Sequence, residues 1–295
     1  MSMIESALDK SSAGTPEKSP SDSLGTGVAG TIPLTRVALA PVESADRSKR
    51  IVIDMAQLRS AGYLPQSSEE RRFADYYRAV KRPIIQRALA AEGAPEQRLV
   101  LVTSSLRDEG KTFTTLNLAL SMAREHDISV LLVDADLPKA HISQVLGIAD
   151  RPGLIEALRS ESGEPESLVL RTSIPGLEVL PAGGSFEGAT ELIASARMTR
   201  VAAQLTQRNP RRLVLLDSSP LLVSSEARAL VHVPGQIVLV ARSGRTPQRA
   251  LQDSLKLLDK QRVSGLVLND AARVADTSYG SYGYYGDEKQ RYGAG

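Results

Sequence analysis

Short apolar runs separated by stretches of helical character constrain this chain more than any other feature. They are RLVLVTS (98–104), SVLLVDAD (129–136), LEVLPAG (177–183), RLVLLD (212–217), QIVLVAR (236–242) and GLVLND (265–270). Their centres are continuously apolar and rich in Val, Ile and Leu rather than alternating. Such a strand has both faces covered, as in a parallel sheet joined by crossover helices. Helical stretches at 111–126, 189–207 and 246–261 lie between the runs. The expected fold is α/β: a doubly wound, mostly parallel sheet with helices on both faces.

Upstream, EERRFADYYRAVKR (69–82) has helical composition and periodicity, and Pro83 is expected to kink or end that helix. Order is expected to begin near 51–63. Residues 11–48 are dominated by Ser, Gly, Pro, Ala and Thr. They cannot bury enough apolar surface to offset their chain entropy, so they read as a disordered linker. Residues 1–10 carry a short amphipathic helix, with Ser2 and Glu5 as a capping box and Ile4, Ala7 and Leu8 on one face. It reads either as a frayed terminus or as a docking helix for a partner. The expected division is 1–10, 11–48, a folded domain over 49–274, and a tail over 275–295.

Composition excludes several classes. The net charge of +2 over 295 residues, with no dense Lys/Arg run, leaves no footprint for nucleic acid. No cysteine is present, so there are no disulfides and no thiolate metal sites. His126, His141 and His232 are scattered through the chain. No stretch reaches the ~18 apolar residues of a membrane span, and the first residues lack a signal-peptide core. Cytoplasmic residence is the expectation.

The first apolar run leads into TSSLRDEGKTFTTLNLALSMA (103–123). A strand, a turn and Gly-Lys-Thr opening an amphipathic helix form a phosphate-binding loop, or P-loop. The expected nucleotide-binding residues are Ser105, Arg107, Asp108, Glu109, Gly110, Lys111, Thr112 and Phe113. Gly110 lets the backbone approach phosphate, and the helix N-terminus supplies partial positive charge. Lys111 reaches the outer phosphates and the Thr112 hydroxyl can ligate Mg²⁺. The loop departs from the usual pattern, with Ser105 where its first glycine falls.

Two further runs end in acid. Asp134 and Asp136 close the second; residues two apart on a strand point the same way, so both are expected to face one spot at the carboxyl edge of the sheet. Asp217 closes the fourth, in the manner of a Walker B strand whose acid serves Mg²⁺. Thr112, Asp134, Asp136 and Asp217 are the expected metal set, since hard cations take oxygen ligands. Each Asp taken singly could equally cap the following helix.

The chain ends SYGSYGYYGDEKQRYGAG (278–295), placing Tyr279, Tyr282, Tyr284, Tyr285 and Tyr292 among glycines. About 20 extended residues of this kind reach up to roughly 65 Å. Beside a P-loop they read as phosphoacceptors; without one they would read as a sticky low-complexity tail.

The segments SSLRDEGKT, LLVDADLPKA and LVLLDSSP, together with the tyrosine tail, resemble those of the bacterial tyrosine kinases, with the closest likeness to the cytoplasmic autokinases of exosortase-associated exopolysaccharide loci. The resemblance covers 51–295 and the first ten residues. It implies ATP and Mg²⁺ as cofactors and Lys111, Asp134 and Asp136 as catalytic, with Asp134 orienting or deprotonating the incoming tyrosine. It implies a homo-oligomer phosphorylating its tail between subunits, regulating exopolysaccharide synthesis or export. It also implies a membrane-bound polysaccharide co-polymerase of the chain-length-determinant type as activator, recruiting the chain to the inner face of the membrane. The family's Glu-x-x-Arg-x-x-Arg subunit contact falls on Asp75, Arg78 and Lys81, and Lys lacks Arg's bidentate fork. Pro-Gly is usual where this loop has Arg107 and Asp108. Asn269 and Arg242 are candidates for adenine contact.

Two other readings fit parts of the pattern. A ParA/MinD-type ATPase switch shares the paired-Asp strand but carries a signature lysine where this chain has Leu106. A catalytically silent ATP-binding scaffold would keep the loop and lose phosphate transfer.

Overall fold

The computed structural model describes residues 49–90, 94–160 and 164–271. The expected N-terminal helix, the linker and the tyrosine tail lie outside these residues. Among the described residues the strands are β1 (Arg50–Ile51), β2 (Leu99–Ser104), β3 (Ser129–Asp134), β4 (Leu170–Thr172), β5 (Leu177–Leu180), β6 (Arg212–Asp217), β7 (Gln236–Arg242) and β8 (Val263–Asn269). They form one sheet in the order β1-β4-β5-β3-β6-β2-β7-β8. All pairings are parallel except β4 with β5.

The central strands bury both faces, as their unbroken apolar runs require. Leu99, Leu101, Leu131, Val133, Val214, Leu216, Ile237 and Leu239 face one core. Their neighbours Val100, Val102, Val130, Leu132, Leu213, Leu215, Val238 and Val240 face the other. The first core is closed by α5 (Leu154–Arg159), α6 (Ala189–Ala194), α7 (Ala196–Gln207), α8 (Ser225–Leu230) and α9 (Gln248–Leu257). The second is closed by α1 (Met55–Ser60), α2 (Glu70–Ala90), α3 (Lys111–Met122) and α4 (His141–Val145).

The structure differs from the sequence reading in three places. Helix α2 runs through Pro83 to Ala90. A mid-helix proline costs about 3 kcal/mol; full burial of Ile84 contributes about 1.5–3 kcal/mol in return. Beyond the proline, Arg87 donates to the Gln261 carbonyl and the Ser264 hydroxyl, which holds the last turns in place. The helix expected over 189–207 is two helices, broken where the Ser195 hydroxyl caps α7 by accepting from Arg197 N. Strands β1 and β4 are too short for their patterns to register, at two and three residues.

Candidate nucleotide-binding site

Strands β2, β3 and β6 end together, and their register puts Asp134 of β3 directly opposite Asp217 of β6. Between β2 and α3 runs the loop 105–110. Gly110 sits at φ 87°, a conformation that favours glycine, and a Cβ there would come within 1.9 Å of the Asn269 side-chain nitrogen and force that side chain to move. Asp108 also adopts a left-handed φ of 61°. In a non-glycine residue that conformation costs about 1–2 kcal/mol. Alternation of this kind makes backbone N–H nests for anions.

The inner side of the loop is charged and buried. Lys111 Nζ lies 2.8 Å from Asp136 Oδ2, and Asp136 Oδ1 accepts from the Ser219 hydroxyl at 2.6 Å. Asp217 accepts from the Thr112 hydroxyl on one oxygen and the Thr115 hydroxyl on the other, each at 2.8 Å. Burial works against the charge on Lys111, but Asp217, Asp136 and Asp134 outweigh it, and its pKa is raised. Burial raises Asp217 as well, against the pull of Lys111 and the two threonines.

Asp134 differs from its neighbours. One oxygen accepts both from Ser143 N at 2.8 Å and from the Ser143 hydroxyl at 2.7 Å. The other, Oδ1, is buried without a hydrogen-bond partner. Burial, then the neighbouring Asp217, push this carboxyl up to about 7. A buried carboxyl with an unpartnered oxygen costs stability, and a raised pKa of this kind is characteristic of functional sites.

The pleat does not align Asp134 with Asp136, because β3 ends at Asp134. Asp136 lies in the following turn, where its carbonyl accepts from Lys139 N and Ala140 N. Asp134 bonds to Ser143 and Asp136 to Lys111, yet the two carboxyls stay close enough to act on each other and together on Lys111.

Other expected residues scatter. Ser105 anchors the loop: its hydroxyl accepts from Ser254 and its carbonyl accepts from Leu222 N. Glu109 is buried, taking the Leu106 N–H and the Thr246 hydroxyl on its carboxylate. Phe113 turns outward onto Phe73 of α2, edge to face at 6.0 Å. Arg107 is exposed. Asn269 donates to the Glu109 carbonyl, and Arg242 ion-pairs with Asp270. Of the subunit-contact set, Asp75 and Arg78 pair with each other on the surface, while Lys81 is only 8% exposed. Within the chain Lys81 bonds to the Ser121 carbonyl and Glu125. The five tail tyrosines lie outside the described residues. Thr115, Ser143 and Ser219 were missed. Thr115 was within reach, one turn beyond Lys111 on the same helix face.

The residues present fit Mg²⁺ and a nucleotide. An unpartnered buried oxygen, two further carboxylates and a threonine hydroxyl edge an anion-binding loop. Among the described residues no three acidic or histidine side chains form an ion cage of their own. Mg²⁺ is commonly held by one or two carboxylates plus substrate phosphates, which suits this set.

A P-loop on a doubly wound parallel sheet, with carboxylates at the ends of the adjacent strands, defines a P-loop nucleotide-binding protein. No family model matches the chain. The tyrosine-protein kinase Wzc of Salmonella typhi is 31% identical over 197 residues, 66% of this chain and 27% of Wzc. The succinoglycan biosynthesis transport protein ExoP of Rhizobium meliloti is 31% identical over 254 residues, 84% of this chain and 29% of ExoP. The solved kinase domain of VpsO matches with a TM-score of 0.57 and 28% identity, covering 70% of this chain and 100% of that domain. The chain thus spans less than a third of the length of these curated relatives. Within its class it sides with the bacterial tyrosine kinases in sequence and in fold, as the motifs implied. These matches do not bear on the exosortase-associated group. Among the described residues no helix is long and apolar enough to cross a membrane.

Proposed function

We propose that this chain is an ATP-dependent protein-tyrosine autokinase that phosphorylates its own C-terminal tyrosines, one subunit acting on the next. The observation that carries the reading is Asp134, with a buried, unpartnered oxygen beside the Lys111 loop. A phenol has a pKa near ~10 and needs help to attack at neutral pH. A carboxylate titrating near 7 is matched to that task.

Lys111 exchanges Asp136 for the outer phosphates of ATP. The N–H groups of the loop and of the first turn of α3 hold the remaining oxygens. Asp134 Oδ1 orients the tyrosine hydroxyl and takes its proton as the new oxygen–phosphorus bond forms and the bond to ADP breaks. Thr112 with Asp134, Asp136 or Asp217 would hold Mg²⁺, which when bound would supply neutralising charge at the phosphates. Control of exopolysaccharide synthesis or export is proposed from the likeness to the succinoglycan biosynthesis transport protein ExoP, and a membrane-bound co-polymerase as activator and recruiter from the motif resemblance alone.

Intact-mass spectrometry of the full chain with Mg·ATP tests this. Stepwise gains of ~80 Da confined to the tail, absent in Lys111→Ala and Asp134→Asn, are expected for phosphoryl transfer. ATP binding with no added mass, even with a co-polymerase cytosolic segment present, would favour the scaffold.

A further inference from the structure

The outer side of the phosphate loop is gripped by the ends of β7 and β8. Arg242 closes β7. Its Nε and Nη2 both lie 2.9 Å from Asp270 Oδ2, and its Nη1 donates to the Asp108 carbonyl at 3.2 Å. Arg242 N donates to the Thr246 hydroxyl oxygen at 2.7 Å, and that hydroxyl donates to the Glu109 carboxylate. Asn269 closes β8. Its side-chain amide donates to the Glu109 carbonyl at 3.1 Å, and its main-chain carbonyl accepts from Ser243 N at 2.8 Å. Two successive loop carbonyls, 108 and 109, are thus held from outside. Asp108 is also the loop's left-handed non-glycine residue.

We propose that Arg242 is a positioning residue for the phosphate loop. Oriented by Asp270, it holds Asp108 in its left-handed conformation and so presets the loop's N–H groups for phosphate. It acts through the loop and is not assigned to phosphate, metal or tyrosine. The planar fork matters: one guanidinium meets a carboxylate and a carbonyl together, which a lysine ammonium on a flexible stem cannot reproduce. Asp270 stands at the root of the tyrosine-bearing segment, so that root and the phosphate loop share one side chain. The proposal rests on the nucleotide reading of the site.

ADP titration by calorimetry on the full chain, with thermal midpoints alongside, tests it without requiring kinase activity. Arg242→Gln is expected to bind ADP about tenfold more weakly at a near-unchanged midpoint, the loss of one charge-assisted hydrogen bond. Arg242→Lys should recover part of that loss, and Asp270→Asn should weaken binding about two- to threefold. Binding by Arg242→Gln within about twofold of wild type would overturn the proposal, as would full recovery by lysine. Should Arg242→Gln fail to fold, the exposed Asp270→Asn decides: unchanged ADP affinity there overturns it. A wild-type chain that does not bind ADP overturns this proposal and the site reading together; binding that no variant disturbs overturns this proposal alone.

Discussion

The phosphate loop has two walls, each held by an ion pair of similar length in a different medium. Inside, Lys111 and Asp136 meet at 2.8 Å with side chains 10% and 1% exposed. Outside, Arg242 and Asp270 meet at 2.9 Å with side chains 27% and 59% exposed. Removing one partner of a buried pair strands a charge away from water, whereas exposed pairs contribute about 0–1 kcal/mol. The inner wall therefore stores charge that an arriving phosphate can redirect. The outer wall shapes the loop through bonds to its carbonyls. Near-equal distances say little about energy until burial is known.

The largest expected effect breaks the inner wall. Lys111→Ala should cost about 3–5 kcal/mol in urea unfolding at neutral pH and abolish nucleotide binding. Adding Asp136→Asn should restore much of the stability and none of the binding. Equal instability in the single and double variants would show that the stranded carboxylate is not the cause.

Next is Asp134, whose carboxyl stands at about 7 against an ordinary 3.8. The folded chain holds this proton more tightly than the unfolded chain. Stability from this group is therefore fully present below the unfolded value, falls as pH rises through the window from 3.8 to about 7, and stays lost above it. Asp134→Asn should remove that fall, exceeding wild type by a few kcal/mol near ~pH 8 and matching it near ~pH 4. Urea midpoints across that range check it; parallel curves would break the assignment.

Gly110→Ala sharpens the outer wall. The left-handed φ alone should cost about 1–2 kcal/mol, and the collision with Asn269 adds to it. Adding Asn269→Ala should relieve the collision but not the backbone strain, read as a partial recovery of the thermal midpoint. The smallest effect is expected at the fully surface pair: Asp75→Ala should change stability by less than about 0.5 kcal/mol. Lys81→Ala should cost more, because its ammonium group is tied to Ser121 and Glu125.

The strands of the central sheet were legible because a continuous apolar run has few homes outside a covered sheet. The runs at 212–217 and 236–242 coincide with β6 and β7. Gly-Lys-Thr after a strand likewise placed Lys111 and Thr112 at the mouth of the loop. Less was legible where the partner is remote in sequence. Nothing near Asp217 announces Thr115, and nothing near Lys81 announces Ser121. Pro83 left open a kink or an end, because its local rule says nothing of the packing that carries α2 through to Ala90.

By itself, the sequence determined the α/β class, the sheet's covered centre, the phosphate loop, and the acids Asp134 and Asp217 at the strand ends with Asp136 just beyond. These follow from local chemistry: side-chain periodicity, glycine's freedom and the requirements of phosphate. Only the tertiary structure decided which acid pairs with Lys111, which oxygen of Asp134 stays unpartnered, and that the outer wall is built from Arg242, Asn269 and Asp270. Those are matters of burial and of distance between separate elements, some of them more than 100 residues apart, as with Arg242 and Asp108. Hydrogen bonding and desolvation act through space, and no local pattern encodes them.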